Sequence, residues 1–295
     1  MKPAPFVLHR PRTLADALEL LDRRENARVL AGGQSLMPML NMRLATPDHL
    51  IDLNRIGELG FIRDEGDEIA IGAMTRQRDV EHSQVVAARL PLMREAILQV
   101  GHRQTRNRGT IGGSLCHLDP AAEMPMGMMA FDAALLLQSV RGRRTVEMAS
   151  FAEGLMTTAL RQDEMLTEIR VRPWAASHGA CFVEFARRHG DFAVASAAAM
   201  LELDHARCIS RAALALGGVA ATPLRLREAE RALLGRRGDD GVEQVAQRAG
   251  DCDALDDPAF PSWYRRRLAV RLLARAIAGA YRRALARIGR THDDE

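Results

Sequence analysis

Two short segments constrain this chain more than any other feature: Ala31-Gly-Gly-Gln-Ser35 and Thr110-Ile-Gly-Gly-Ser114. Each sets paired glycines beside a serine, so the backbone can turn sharply while no Cβ shields its N–H groups. Loops of this kind cradle anions. Oriented N–H donors hold a pyrophosphate without a lysine, and a helix starting there adds about 0.3–1 kcal/mol of dipole attraction. Taken singly, each segment reads more readily as a plain turn. Neither matches G-x-G-x-x-G, whose three glycines each have a steric task, so a Rossmann site is not expected.

Composition agrees with a backbone cradle. Of the 41 Lys+Arg, Lys2 is the single lysine. That excludes a P-loop, a kinase strand lysine and Schiff-base chemistry from the interior of the chain. With 295 residues, 47% hydrophobic and a net charge of +3, roughly two globular domains are expected. The cysteines Cys116, Cys181, Cys208 and Cys252 show no C-x-x-C, zinc or iron–sulfur spacing and read as reduced thiols. Residues 1–12 carry prolines and arginines where a signal core would lie, and no apolar run is long enough to span a bilayer, so a cytoplasmic location is the expectation.

Periodicity then orders the chain. Thr13 caps a short helix striped by Leu14, Leu18 and Leu21. Residues 28–31 read as a strand, 36–44 as a helix and 49–53 as a second strand, making a small α/β unit. Residues 62–71 resemble a hairpin turning at Gly66-Asp67, and 85–100 a single helix. The polar run 101–109 reads as a loop leading into the second glycine segment. Beyond it come a buried helix over 121–134 and strands over 135–140 and 165–171. Arg172-Pro173-Trp174 marks a domain boundary. Three successive strand-like runs, 181–186, 193–203 and 208–219, suggest a three-stranded antiparallel meander, and helices over 225–234, 242–248 and 262–288 close the chain.

The wider wording is more specific than any one motif. Ala31 to Leu44, Ile51-Asp-Leu-Asn54 and Arg108 to Pro125, followed by Arg187-Arg-His-Gly-Asp-Phe-Ala193, Gly217 to Arg225 with Glu230, and Ser262 to Leu268, together resemble the FAD-binding medium subunit of the molybdenum hydroxylases. That is the family of carbon monoxide dehydrogenase and xanthine dehydrogenase. The resemblance covers nearly the whole chain. It implies an α+β protein: a two-part α/β FAD-binding domain of the vanillyl-alcohol-oxidase or PCMH type over 1–175 (subdomains 1–56 and 57–175). A C-terminal domain of a three-stranded antiparallel sheet plus a helix bundle would follow over 176–290.

The resemblance also implies site roles. Ala31, Gly32, Gly33, Gln34, Ser35 and Leu36, with Thr110, Ile111, Gly112, Gly113 and Ser114, would wrap the FAD pyrophosphate and ribityl chain. Asn107 and His117 would lie close to the cofactor, and Glu123 would hydrogen-bond a ribose hydroxyl on the adenosine side. Phe192, with Asp191 beside it, would approach the isoalloxazine ring. Relatives commonly carry histidine where Gln34 stands, and several carry a lysine in the neighbourhood of Glu184. No catalytic residue and no metal ligand is assigned to this chain.

Molybdopterin and [2Fe–2S] clusters are expected only in partners: a large molybdopterin-binding subunit and a small two-cluster subunit, arranged as a dimer of heterotrimers. The alternative is a stand-alone flavin oxidase or reductase of the vanillyl-alcohol-oxidase type, in which His117 is the nearest candidate tether. A third reading takes the basic last helix, Arg265, Arg266, Arg267, Arg271, Arg275, Arg282, Arg283, Arg287 and Arg290, as a nucleic-acid grip. A solvated face with one subunit contact accounts for it equally, and neither nucleic acid nor a membrane span is expected.

Overall fold

The computed structural model describes residues 1–291, with side chains as far as Ile288. The first unit holds β1 (Val7–His9), α1 (Leu14–Arg23), β2 (Ala27–Leu30), α2 (Leu36–Asn41) and β3 (His49–Asp52). Its three strands are parallel in the order β1-β3-β2, so the chain crosses over through a helix each time. Thr13 caps α1 as the sequence predicts, its Oγ1 accepting from Asp16 N at 3.2 Å. Leu18, Leu21, Ile51 and Leu53 fill the small core beneath.

The second unit contains β4 (Ile62–Asp64), β5 (Ile69–Gly72), α3 (Gln77–His82), α4 (Gln84–Arg89), α5 (Pro91–Gln99), α6 (Arg103–Arg108), α7 (Ile111–His117) and α8 (Glu123–Ala130). It continues with β6 (Ala134–Ser139), β7 (Gly142–Glu147), α9 (Met148–Phe151), β8 (Ala152–Gly154), β9 (Thr157–Thr158) and β10 (Met165–Val171). Strands β4, β5, β10, β6 and β7 form one antiparallel sheet in that order. Two expectations are corrected here. The single helix over 85–100 is two, because Pro91 has no N–H to continue α4 and instead opens α5 at its first position. The run 101–109 is not a loop throughout: α6 forms there without an apolar stripe, tied down where Arg106 Nε meets Glu81 Oε2 at 2.8 Å.

The last unit holds β11 (Gly179–Phe185), β12 (Ala195–Leu203), β13 (Ile209–Gly217), β14 (Leu224–Arg225), α10 (Arg227–Leu233), α11 (Val242–Gln247) and α12 (Ser262–Thr291). The expected three-stranded meander is present and is extended to four strands by two-residue β14, too short to show a periodic signal. Residues Ala195 to Leu201 are all buried. Their alternation explains it: Ala198 and Met200 enter the core shared with the second unit, while Ala197, Ala199 and Leu201 face the core under α12. A sheet covered on both faces needs continuous apolar strands.

The arginines of α12 are not one solvated stripe. Arg265 is buried and Arg283 reaches Glu95 on α5 at 2.6 Å, whereas Arg290 lies outside the residues whose side chains are described. Among the described residues no helix is long and apolar enough to cross a membrane.

Candidate functional site

The two glycine segments meet. A Cβ on Gly32 would overlap Arg108 O and stand 2.8 Å from the Gly109 Cα, so only glycine lets the first loop pass this close to the second. Gly113 faces the same contact, its missing Cβ falling 2.7 Å from Thr110 Oγ1 and 3.5 Å from Ala31 Cβ. Gly33 has φ +74°, a left-handed turn that other residues adopt at a cost. Past it, Met37 N–H returns to Gly33 O at 3.2 Å, but among the described residues the N–H groups of Gly33, Gln34, Ser35 and Leu36 find no acceptor. Ser35 caps α2 without a side-chain hydrogen bond, and Gln34 Nε2 donates back to Gly32 O at 3.4 Å.

The second segment is not a free loop. Thr110 is the N-cap of α7, with Oγ1 accepting from Gly113 N at 3.1 Å, so Ile111 to Ser114 form the first turn of a helix. Gly112 faces away from the first loop: a Cβ there would stand 2.6 Å from Ala73 Cβ and Ala73 O. Backbone bonds from Ile111 N to Thr75 O (3.0 Å) and Gly112 N to Ala73 O (2.9 Å) fix this turn to the end of β5.

A residue with no motif to announce it joins the two segments. Arg76 donates from Nη1 to Arg108 O and from Nη2 to Asn54 Oδ1, each at 2.5 Å, and Asn54 Nδ2 donates to Ala31 O at 3.0 Å. Burial, and then Arg108 beside it, hold the Arg76 guanidinium below its ordinary pKa. The two arginines give the cradle a positive field without a lysine.

From α7 the chain turns at Leu118, φ +49°, into the wall of a second feature. Asp119, Pro120 and Ala121 line an open cleft of about 490 Å³ together with Arg187, Gly190, Asp191, Phe192, Ala193 and Val194 and with Gly218, Leu255, Phe260 and Arg265. Phe192 is 77% exposed at the rim and is not a core phenylalanine. Arg265 holds that rim from behind, donating from Nη1 to Val194 O and Gly218 O and from Nη2 to Asp257 Oδ2, all at 2.6 Å.

Three further expected site residues lie outside the two glycine segments. Asn107 is exposed on α6 and accepts from Arg78 Nη1 at 3.1 Å. His117 ends α7 half-buried, its pKa lowered by burial. Glu123 opens α8 beneath the cleft, and burial pushes its carboxyl up to about 7. Arg76 and Phe260 carry no signal in the sequence, Arg265 stood out there only as one arginine of the basic last helix and of the segment Ser262 to Leu268, and Asn54, in Ile51-Asp-Leu-Asn54, was the one signal available for the joint between the loops.

Residues 4–174 match the family of FAD binding domains in molybdopterin dehydrogenase, and residues 180–287 match the CO dehydrogenase flavoprotein C-terminal domain. The chain is 39% identical to the carbon monoxide dehydrogenase medium chain of Afipia carboxidovorans, over 96% of this chain and 99% of that one. It is 37% identical to the glyceraldehyde dehydrogenase medium chain of Sulfolobus acidocaldarius, over 90% and 95%. Among solved structures, a carbon monoxide dehydrogenase from Hydrogenophaga pseudoflava lacking the Mo-pyranopterin moiety superposes with a TM-score of 0.93 at 39% identity, covering 96% of this chain and 99% of that one. Quinoline 2-oxidoreductase from Pseudomonas putida 86 superposes at 0.92 and 32% identity, covering 96% and 99%. The glycine cradle, the cleft beside it and similarity along nearly the whole chain agree: this protein belongs to the family of FAD-binding medium subunits of carbon monoxide dehydrogenase and related molybdenum hydroxylases, and is an oxidoreductase flavoprotein subunit.

Proposed function

We propose that FAD lies with its pyrophosphate on the N–H groups of Gly33 to Leu36 and the first turn of α7, and with its ring in the cleft bounded by Asp119, Asp191 and Phe192. The observation that carries this is the approach of Gly32 to Arg108 and Gly109, which makes one cradle of two distant segments. The cradle fits the group: its unpaired N–H donors, positive arginines and helix N-terminus suit a diphosphate. Bound there, the flavin supplies the electron chemistry. The chain's residues orient it. Thr110 Oγ1 keeps Gly113 N–H in the helical turn, Arg76 fixes the spacing of the two loops, and Arg265 holds the Asp191–Val194 segment at the cleft rim.

Electrons would arrive from a small two-cluster [2Fe–2S] subunit after oxidation of substrate on a large molybdopterin-binding subunit, the three assembling as a paired heterotrimer. Among the described residues no group of three or more His, Cys, Asp and Glu could hold a metal ion. The proposal includes the PCMH-type layout of the first two units and a cytoplasmic setting, the latter supported by four unpaired thiols. Purified chain supplied with FAD is expected to turn yellow and to show no turnover of aldehyde or N-heterocyclic donors until both partner subunits are added. Turnover by the chain alone would return the stand-alone oxidase reading.

Arg76→Ala is expected to weaken FAD retention. It removes two charge-assisted hydrogen bonds that brace opposite loops, each worth about 1.5–3 kcal/mol. Part of that loss falls on folding, so we expect a roughly tenfold rise in Kd for FAD, read by flavin fluorescence titration, with Asn54→Ala reproducing a smaller share. A Kd unchanged in both variants rejects the joint.

A further inference from the structure

The buried acids Glu164 and Glu230, and the half-buried Glu81 and Glu95, are met by arginine. Glu81 pairs with Arg106 at 2.8 Å, Glu164 with Arg144 at 2.7 Å and Glu95 with Arg283 at 2.6 Å, while Glu230 pairs with Arg225. Two acids break the pattern, and they converge on one place. Glu184 on β11 has Oε2 enclosed without a hydrogen-bond partner, and directly opposite it on β12 stands Ser196, 1% exposed, whose Oγ is also unpartnered. Ser196 in turn lies opposite Gly217 on β13, where a Cβ would fall 2.7 Å from Ser196 Oγ and 3.3 Å from Met126 of α8. Glu123, 8% exposed, precedes Met126 by three residues and so shares its helix face toward this seam.

The seam lies one residue behind the cleft. Gly218, next to Gly217, lines the cleft and donates its N–H to Pro120 O at 2.6 Å, another residue of its lining. We infer that Glu123 and Glu184 form a proton-holding carboxyl pair beneath the cleft, and that its charge, acting as a positioning element through the field it sets up, tunes the reduction potential of the flavin bound above. The inference rests on the proposed placement of FAD.

The electrostatics follow from what surrounds the pair. An ionised carboxylate in a dry site without a cation is costly, and two facing each other are costlier, so the pair keeps a proton that isolated acids would shed. Burial first and Glu123 second push Glu184 up to about 8, and burial first and Asp119 last act in the same direction on Glu123, which rises to about 7. The charges on the neighbouring elements do not offset this. Asp119 adds a like charge, and Glu95 of α5 and Arg283 of α12 meet one another at the start of β11. Among the described residues no arginine acts on either carboxyl. The protons leave in two steps that belong to the pair as a unit. Each step releases H⁺ to solvent and leaves one more negative charge under the cleft, which opposes electrons arriving above it.

The test uses the full chain with and without FAD. By infrared pH titration, the wild-type protein is expected to show a protonated-carboxyl carbonyl band that disappears as pH rises through about 6 to 9, the window around the two raised values. Glu184→Gln removes the upper step, near 8, and leaves the Glu123 step, while Glu123→Gln, which relieves the repulsion, moves the remaining Glu184 titration to lower pH. With FAD bound, the wild-type midpoint potential plotted against pH is expected to bend in the same window, and the Glu184→Gln plot to lose the upper part of that bend, near 8. A wild-type chain without the band overturns the pair. A band present with identical potential plots in both proteins overturns the tuning. A chain that shows the band but never takes up FAD removes the occupant of the cleft, which overturns the tuning and the FAD placement while leaving the pair standing.

Discussion

Gly33→Val is expected to fold and to stay colourless in the presence of FAD. At φ +74° a residue with a Cβ pays about 1–2 kcal/mol, and valine, being β-branched, sits at the upper end. That leaves most of a domain stability of about 5–15 kcal/mol intact. The cradle fares worse. Relief of the strain rotates the backbone at residue 33, and the N–H groups of Gln34, Ser35 and Leu36, which have no acceptor within the described chain, are turned with it. Losing two charge-assisted donors at about 1.5–3 kcal/mol each weakens binding by a hundredfold or more. Gly112→Val is the instructive contrast. Its side chain would enter Ala73 and break the attachment of α7 to β5, so it should lower Tm before it affects the cradle directly. Flavin absorbance after gel filtration, read beside a melting curve for each variant, separates the two. Stoichiometric FAD on Gly33→Val would reject the assignment of the first loop.

The contrast shows what kind of information the sequence held. Glycine at 32, 33, 112 and 113 was legible as a place where the backbone turns or is closely approached, yet what each glycine admits was not. Gly32 makes room for Arg108, Gly33 makes a turn, and Gly112 makes room for a strand end; the letters are identical. Elements with an apolar period were read well, including the three long strands of the last sheet. Where stability comes from a polar contact, the period fails. Segment 103–108 is helical through Arg106 and Glu81, and no apolar stripe announces it. Pro91 did mark the break between α4 and α5, but the stripe of Leu90, Met93 and Ile97 runs through it. The hardest features were single charges among many. With forty-one Lys+Arg in the chain, nothing local distinguishes Arg76 from an arginine in solvent, Arg225 stood out only through the family segment it ends, with Glu230 after it, and nothing local says that Glu184 will meet none of them.

Arg225→Ala is expected to be the most destabilising single truncation of a charged residue in this chain. Its side chain is 7% exposed and serves both halves of the fold. Nη1 donates to Met129 O (2.9 Å) and Ala130 O (2.7 Å), carbonyls at the C-terminus of α8, and to Asp132 Oδ1 at 2.9 Å, while Nε and Nη2 meet Glu230. Glu230 Oε1 also accepts from Leu214 N on β13 at 2.9 Å. Removing the guanidinium therefore leaves a buried carboxylate short of its nearer cation, with Arg227 Nη1 still 3.5 Å from Oε2, and two helix carbonyls short of a donor. Breaking a buried pair from one side costs about 3–5 kcal/mol, equivalent to roughly 6–20 °C in Tm for a chain of this size. Arg227→Ala is the control. It reaches the same Asp132 Oδ1 at 2.5 Å, but its side chain is 53% exposed, so its loss should cost under about 1 kcal/mol. The two variants separate burial from contact geometry, since the shorter of the two bonds to Asp132 belongs to the residue expected to matter less. Equal melting temperatures would show that the buried position of Arg225 carries no weight. With a large loss for Arg225 alone, hydrogen exchange should accelerate at the C-terminal amides of α8. The same helix carries Glu123 at its other end, so loosening this clamp loosens the wall against which the cleft is built.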